Sequence, residues 1–235
     1  MVESEIQRGI LSKCSFFKDG AKYSDIRNGE IENDLYNYHL QKLVKDKFLE
    51  KKRNLYTITA KGKSFVTNVD ERDLKVPPSY KVSVYLCPVL NGKILLTRRL
   101  KHPQYGYVGM IAEKKKFGEE LVETAKRGFF EETGLHSSEF KLIGNLHQVR
   151  KDKNKNPIED GVFYVFYTDC FEGELIEKSL EGEYFWVDMN KVPALEKMFK
   201  PSLEVVVSEI QNREAGEKSW SDQFIYEFLP EPEEY

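Results

Sequence analysis

Apolar residues recur at helical spacing from the start of the chain. In EIQRGILSKCSFF they fall at Ile6, Ile10, Leu11 and Cys14, one stripe of a helix. A Lys18-Asp19-Gly20 turn follows, then AKYSDIR, which predicts a short second helix. EIENDLYNYHLQKLVKDKFLE predicts the longest helix of this region. Its Tyr36, Leu40, Leu43 and Val44 share one face, and Asp34, Tyr38, Gln41, Lys42 and Lys45 share the opposite one. The period then drops to two. Phe48 to Glu50 and Leu55 to Thr59 alternate as strands, with Lys51-Lys52-Arg53-Asn54 at the bend. Residues 5–69 therefore predict three helices and a hairpin.

The pattern breaks at DERDLKVPPS, a polar stretch carrying Pro77-Pro78. Diproline disfavours helix and stiffens an extended connector. This places a first domain at residues 1–70, a linker at 71–79 and a second domain at 80–235. In the second domain two apolar runs flank Asn91-Gly92 in KVSVYLCPVLNGKILLTRR, a strong hairpin signal. KLIGNLHQV and VFYVFYTDC predict strands on either side of a charged turn, EGEYFWVD a further strand, and SLEVVVSEIQNREAG a C-terminal helix. Strands before and after a central helix, with another helix at the end, predict a mixed α/β sandwich. The whole chain reads as α+β in two domains.

Composition adds modest constraints. The chain has 235 residues, 40% hydrophobic and 32% charged, enough apolar matter for real cores. The net charge of -3 gives no global push toward nucleic acid, but it is uneven. Residues 1–75 carry 15 Lys and Arg against 12 Asp and Glu, a net of +3; the remainder carries 21 against 27, a net of -6. Cys14, Cys87 and Cys170 lie far apart without CxxC spacing, which argues against a zinc site and for buried thiols in a reducing compartment. The N-terminus lacks an apolar signal core, and no stretch reaches the roughly 18 apolar residues of a membrane span. A cytoplasmic protein with no membrane partner is expected.

The chemistry concentrates in AKRGFFEETGL, residues 125–135. Positions 128, 131 and 132 share a helical face. Glu131 and Glu132 sit near the helix C-terminus, where acids oppose the helix dipole, so their presence suggests a use. Carboxylate oxygens there suit a hard divalent cation. Position 128, however, is glycine.

Two family resemblances follow. NYHLQKLVKDKFLEKKRNLYTITAKGKSF is similar to the recognition helix and wing of winged helix-turn-helix domains, and the likeness covers about sixty residues. It implies duplex DNA as partner. Tyr38, Gln41, Lys42 and Lys45 would face the major groove, and Lys51, Lys52 and Arg53 the phosphates. Winged helices also serve as docking modules. GMIAEKKKFGEELVETAKRGFFEETGL resembles the Nudix box, a glycine, five residues, a glutamate, seven residues, Arg-Glu-aliphatic, one residue, Glu-Glu, one residue and Gly-aliphatic. On that register Glu119, Arg127, Glu131, Glu132, Gly134 and Leu135 match, and Phe129 fills the middle apolar place. The resemblance spans residues 80–215. It implies an α/β/α Nudix sandwich, magnesium or manganese at Glu131 and Glu132, and a structural role for Glu119, Arg127 and Gly134.

The box departs from the pattern twice. Glu113 stands where the first glycine belongs, and Gly128 where a metal-binding glutamate belongs. A side chain at 113 is expected to crowd the site, and the missing carboxylate to impair it. Glu113, Glu159, Glu181 and Glu183 are candidate substitutes. A glutamate returned to position 128 is expected to complete the cluster without moving the backbone. The leading expectation is a homodimeric DNA-binding regulator that senses a nucleotide or nucleoside diphosphate derivative through an impaired Nudix domain. Related regulators usually place the Nudix domain first, the reverse of the order here. An active Nudix pyrophosphohydrolase with an accessory winged helix, and an interaction adaptor using neither site, stand beside it.

Overall fold

The computed structural model describes residues 2, 4–67, 80–102, 104–151 and 154–228. It divides the chain into two compact units, Met1–Pro78 and Ser79–Tyr235. The expected linker at 71–79 lies outside the described residues.

In the first unit, α1 (Glu5–Ser15) begins at a capping box in which Ser4 and Gln7 satisfy each other's backbone N–H groups. β1 (Ala21–Lys22) and α2 (Tyr23–Ile26) follow, then α3 (Asn33–Lys45), β2 (Leu49–Lys52), β3 (Leu55–Ile58) and α4 (Ala60–Val66). β3 is the centre of a three-stranded antiparallel sheet in the order β1-β3-β2. Ile10, Leu11, Cys14, Ile26, Tyr36, Leu40 and Leu43 fill one core with Leu49, Tyr56 and Ile58 from the sheet. The stripes read from α1 and α3 are thus the buried faces. Two elements differ from the three helices and hairpin expected. Ala21–Lys22 is a strand too short to show alternation, paired to Tyr56 and Leu55. Ala60–Val66 forms a fourth helix, capped by Thr59, whose hydroxyl accepts from Gly62 N–H at 3.1 Å.

The second unit contains β4 (Lys81–Leu90), β5 (Lys93–Arg99), β6 (Val108–Gly109), β7 (Ile111–Lys114), α5 (Leu121–Thr133), β8 (Leu135–His136), β9 (Lys141–Lys151), β10 (Pro157–Thr168), β11 (Glu172–Gly173), β12 (Gly182–Asp188), α6 (Ser202–Glu214) and β13 (Phe224–Phe228). Its main sheet runs β12-β5-β4-β10-β9-β13, with β6 beside β5 and β7 beside β4. Every residue from Ser83 to Val89 is buried, because helices cover both sides of β4. Tyr85, Cys87 and Val89 pack with Leu203, Val206 and Ile210 of α6. Val84 and Leu86 pack with Ala125 and Phe129 of α5. A continuous apolar run is what a strand buried on both faces requires. Asn91 and Gly92 close the β4–β5 turn with φ of 50° and 73°. The hairpin ladder is short, Val89↔Ile94 and Leu90↔Lys93, since β4 then leaves to pair with β7 and β10.

The C-terminal strand β13 adds to the sheet edge parallel to β9, beyond the expected closing helix. Arg213, 3% exposed, ties the region together by donating to the carbonyls of Glu209, Ile143 and Asp222. Cys14 and Cys87 are buried, and burial pushes the Cys14 thiol up to about 12. Cys170 is exposed, against the expectation of three buried thiols, because it lies just past the end of β10. No helix among the described residues is long and apolar enough to cross a membrane.

Candidate functional site

The site is organised by Arg127, which α5 presents toward the loop before it. Its Nε donates to Glu119 Oε1 at 2.8 Å and its Nη2 to Glu119 Oε2 at 3.0 Å, a two-pronged pair. Nη2 also reaches the Lys114 carbonyl at 3.0 Å. Nη1 lies 2.9 Å from Glu131 Oε2 and 3.0 Å from Glu113 Oε1. Glu119 accepts further from Lys116 N–H at 2.9 Å and Thr124 Oγ1 at 2.8 Å. The Arg127 guanidinium and these donors hold the Glu119 carboxyl well below the usual range. The loop 115–120 is therefore pinned to the helix by one carboxylate and one guanidinium.

Gly134 ends α5 in the left-handed conformation, φ 74°, and its N–H reaches the Phe130 carbonyl at 2.8 Å. A Cβ there would also meet the Glu174 carbonyl at 2.9 Å. Glu132 has a different partner from Glu131. Its carboxylate accepts from the Tyr184 hydroxyl of β12. Burial, then the hydrogen bond to Glu132, pushes the Tyr184 hydroxyl up.

Gly128 has a structural cause. A Cβ built on it would lie 2.4 Å from the Glu113 Cβ and 2.6 Å from its Cγ. Glu113 sits on β7 opposite Val84 of β4, so its Cβ is fixed by the sheet. This corrects the expectation that a glutamate added at 128 completes the cluster without moving the backbone. Two side chains would start from one place.

A cavity of about 570 Å³ opens beside these groups. Glu113, Glu132, Glu159 and Glu181 line it together with Lys81, Arg99, Lys101, Lys114 and Arg150. Glu159 lies in β10, where its carboxylate is 3.3 Å from Lys81 Nζ. Glu181 pairs with Lys101. Glu183 does not line the cavity; it holds Lys178 at 3.0 Å and Arg98 at 3.8 Å. Tyr85 and Phe163 stack on each other within the lining, ring centroids 4.5 Å apart. Sequence reasoning missed the cations and Tyr184. Lys81, Ser83 and Tyr85 alternate along β4 and line the cavity together, a period-two signal that was readable. Nothing local marked Tyr184.

A magnesium or manganese ion would find hard oxygen donors of the right chemistry at Glu113, Glu131 and Glu132. Among the described residues no three acids are yet gathered as a metal cage. Arg127 shares Glu113 and Glu131, and Tyr184 holds Glu132.

The NUDIX domain model matches residues 79–208, more than half of the chain. The chain belongs to the Nudix family. The uncharacterized Nudix hydrolase YvcI of Bacillus subtilis is 27% identical over 105 residues, 45% of this chain and 64% of that protein. The match thus spans less than two thirds of that relative. The MutT protein of Bacillus halodurans superposes with a TM-score of 0.52 at 22% identity, over 65% of this chain and 93% of that one. The MutT NUDIX hydrolase of Burkholderia pseudomallei gives 0.50 at 20% identity, over 57% and 99%. These similarities establish the Nudix α/β/α fold for the second unit.

In the first unit, Tyr38, Gln41 and Lys45 of α3 are exposed and Lys42 is half-buried. Lys51 and Lys52 belong to β2, so the bend is narrower than the four residues expected and consists of Arg53 and Asn54. Arg53 takes φ 54° at the tip. Lys51 lies over the Tyr56 ring at 5.3 Å, and Lys52 is 3.1 Å from Glu50. All three cations are exposed.

Proposed function

We propose that this chain is a DNA-binding regulator whose Nudix unit binds a nucleoside diphosphate derivative. The observation that carries this reading is the first unit's layout. Tyr38, Gln41 and Lys45 of α3 and a cationic hairpin tip are exposed around a core of their own, as the winged-helix reading requires. Tyr38, Gln41, Lys42 and Lys45 are the groove-facing residues, and Lys51, Lys52 and Arg53 meet phosphates. The cavity of the second unit is lined by five cations and four acids, with Lys81 and Lys101 paired to Glu159 and Glu181, and a diphosphate would compete for those cations with Mg or Mn at Glu131 and Glu132 beside it. A homodimer on paired half-sites completes the reading, and light scattering of the full chain checks it.

Gel retardation across a salt series tests the DNA role. Replacing Lys51, Lys52 and Arg53 together with Ala weakens binding to every duplex. It also flattens the dependence of log K on log salt by about three units, one per lost phosphate contact. Gln41→Ala shifts sequence preference and leaves the slope alone. No retardation of any genomic fragment at low salt removes the regulator reading.

A metal-dependent Nudix hydrolase is the second reading, favoured by one observation, the placement of Glu113 and Glu132 on one cavity. Turnover of nucleoside diphosphate derivatives at about 1 per second or faster, lost in Glu132→Gln, establishes it over the sensor.

A further inference from the structure

We infer that Glu113 supplies the metal-binding carboxylate that α5 lacks at position 128. The Nudix pattern has glycine at the first of these positions and glutamate at the second. This chain has glutamate at 113 and glycine at 128. The site has exchanged the two residues rather than lost one. The inference rests on the reading of the cavity as a diphosphate site.

Three observations support the exchange. A Cβ on residue 128 would fall 2.4 Å from the Glu113 Cβ, so the two positions address the same small volume from opposite sides. Both can carry a side chain only if the strand or the helix shifts, so a glycine at one position suits a side chain at the other. Next, Glu113 reaches its helical neighbour. Glu113 Oε1 and Glu131 Oε2 lie 3.0 and 2.9 Å from the same nitrogen, Arg127 Nη1, so they are within 5.9 Å of each other. A positive charge already sits between them. Last, Glu113 lines the same cavity as Glu132. The strand thus returns to this face the carboxylate count that the helix gave up. The anchor differs: residue 113 is fixed by the β7–β4 ladder rather than by a helical turn. Glu183, engaged with Lys178 and Arg98 outside the cavity, has no part in the exchange.

Manganese alone is the probe, titrated into the full chain by calorimetry and by water-proton relaxation. Wild type binds. Glu113→Gln keeps the volume and removes the charge, and it weakens manganese about tenfold or more. Glu183→Gln leaves affinity within about twofold, a control for charge in general. The paired change Glu113→Gly with Gly128→Glu returns affinity to within about threefold of wild type, well inside the loss expected for a missing ligand. An unchanged affinity in Glu113→Gln overturns the inference, as does an equal loss in Glu183→Gln. So does a wild type that takes no manganese at millimolar concentration. Should the paired variant fold poorly, Glu113→Gln still decides. ADP titrated in EDTA reads the cavity separately. Loss of ADP binding with an intact Glu113-dependent manganese response would remove the nucleotide reading and leave Glu113 as a ligand.

Discussion

Gly128→Ala lowers the stability of the second unit, although alanine is the better helix former. In an open helix position the change gains about 1 kcal/mol. Here the new Cβ meets the Glu113 Cβ at 2.4 Å. Rotamer change moves Cγ but leaves Cβ in place, and β7 cannot retreat without breaking its ladder to β4. Overpacking of this kind costs about 1–3 kcal/mol, occasionally more, and the contact is severe enough to set the net sign as a loss of about 2 kcal/mol. Gly128→Glu brings a second carboxylate beside the first and falls further. In a Glu113→Gly background the sign reverses. The obstructing Cβ is gone, and Gly128→Ala stabilises by about 1 kcal/mol. Denaturant unfolding of the four proteins, followed by amide exchange in α5, gives the coupling directly. Additive effects, or a stabilising Gly128→Ala in wild type, would mean that the two positions do not compete.

Arg127→Ala produces the other large effect, and it depends on pH. Wild-type Arg127 balances Glu113, Glu119 and Glu131, and its loss leaves three carboxylates around a vacated space. The melting temperature at pH 7 drops on the order of 5 °C. The Glu119 carboxyl is held well below its usual range, chiefly by Arg127. Its contribution is therefore present above the unfolded value of about 4.3 and is lost as pH falls through the lower folded value. The variant keeps only the smaller part that the Lys116 N–H and Thr124 hydroxyl supply. The gap between the two proteins stays level from about pH 7 to pH 5 and narrows below about pH 4. Arg127→Lys recovers only part of it, because an ammonium cannot fork across Glu119 and still reach two further acids. A gap that ignores pH would assign the loss to packing of the guanidinium.

The elements with strong periodicity are legible in the sequence. The stripe Ile10, Leu11, Cys14 is the buried face of α1, and Tyr36, Leu40, Leu43 that of α3. Pieces held by partners distant in sequence are not. Ala21–Lys22 becomes a strand only because Tyr56 and Leu55 lie beside it. β13 likewise depends on β9, and on Arg213 fastening the preceding turn. The same distinction holds in the site. The spacing of Glu119, Arg127, Glu131 and Glu132 identified the helix, since those residues act through one element and its loop. Gly128 read along the helix looks like a missing group. Its meaning lies fifteen positions earlier, across a strand-to-helix contact that helical spacing cannot show.

The same contact constrains how such a site can change over generations. A chain with side chains at both 113 and 128 closes the contact between β7 and α5 only by shifting one of them, at a loss of stability. A chain with glycine at both can close it, at the cost of one carboxylate. Interconversion of the two arrangements by single replacements is therefore easier through the double-glycine form. On that route glutamate leaves one position before it enters the other, and in the interval the face carries one carboxylate fewer.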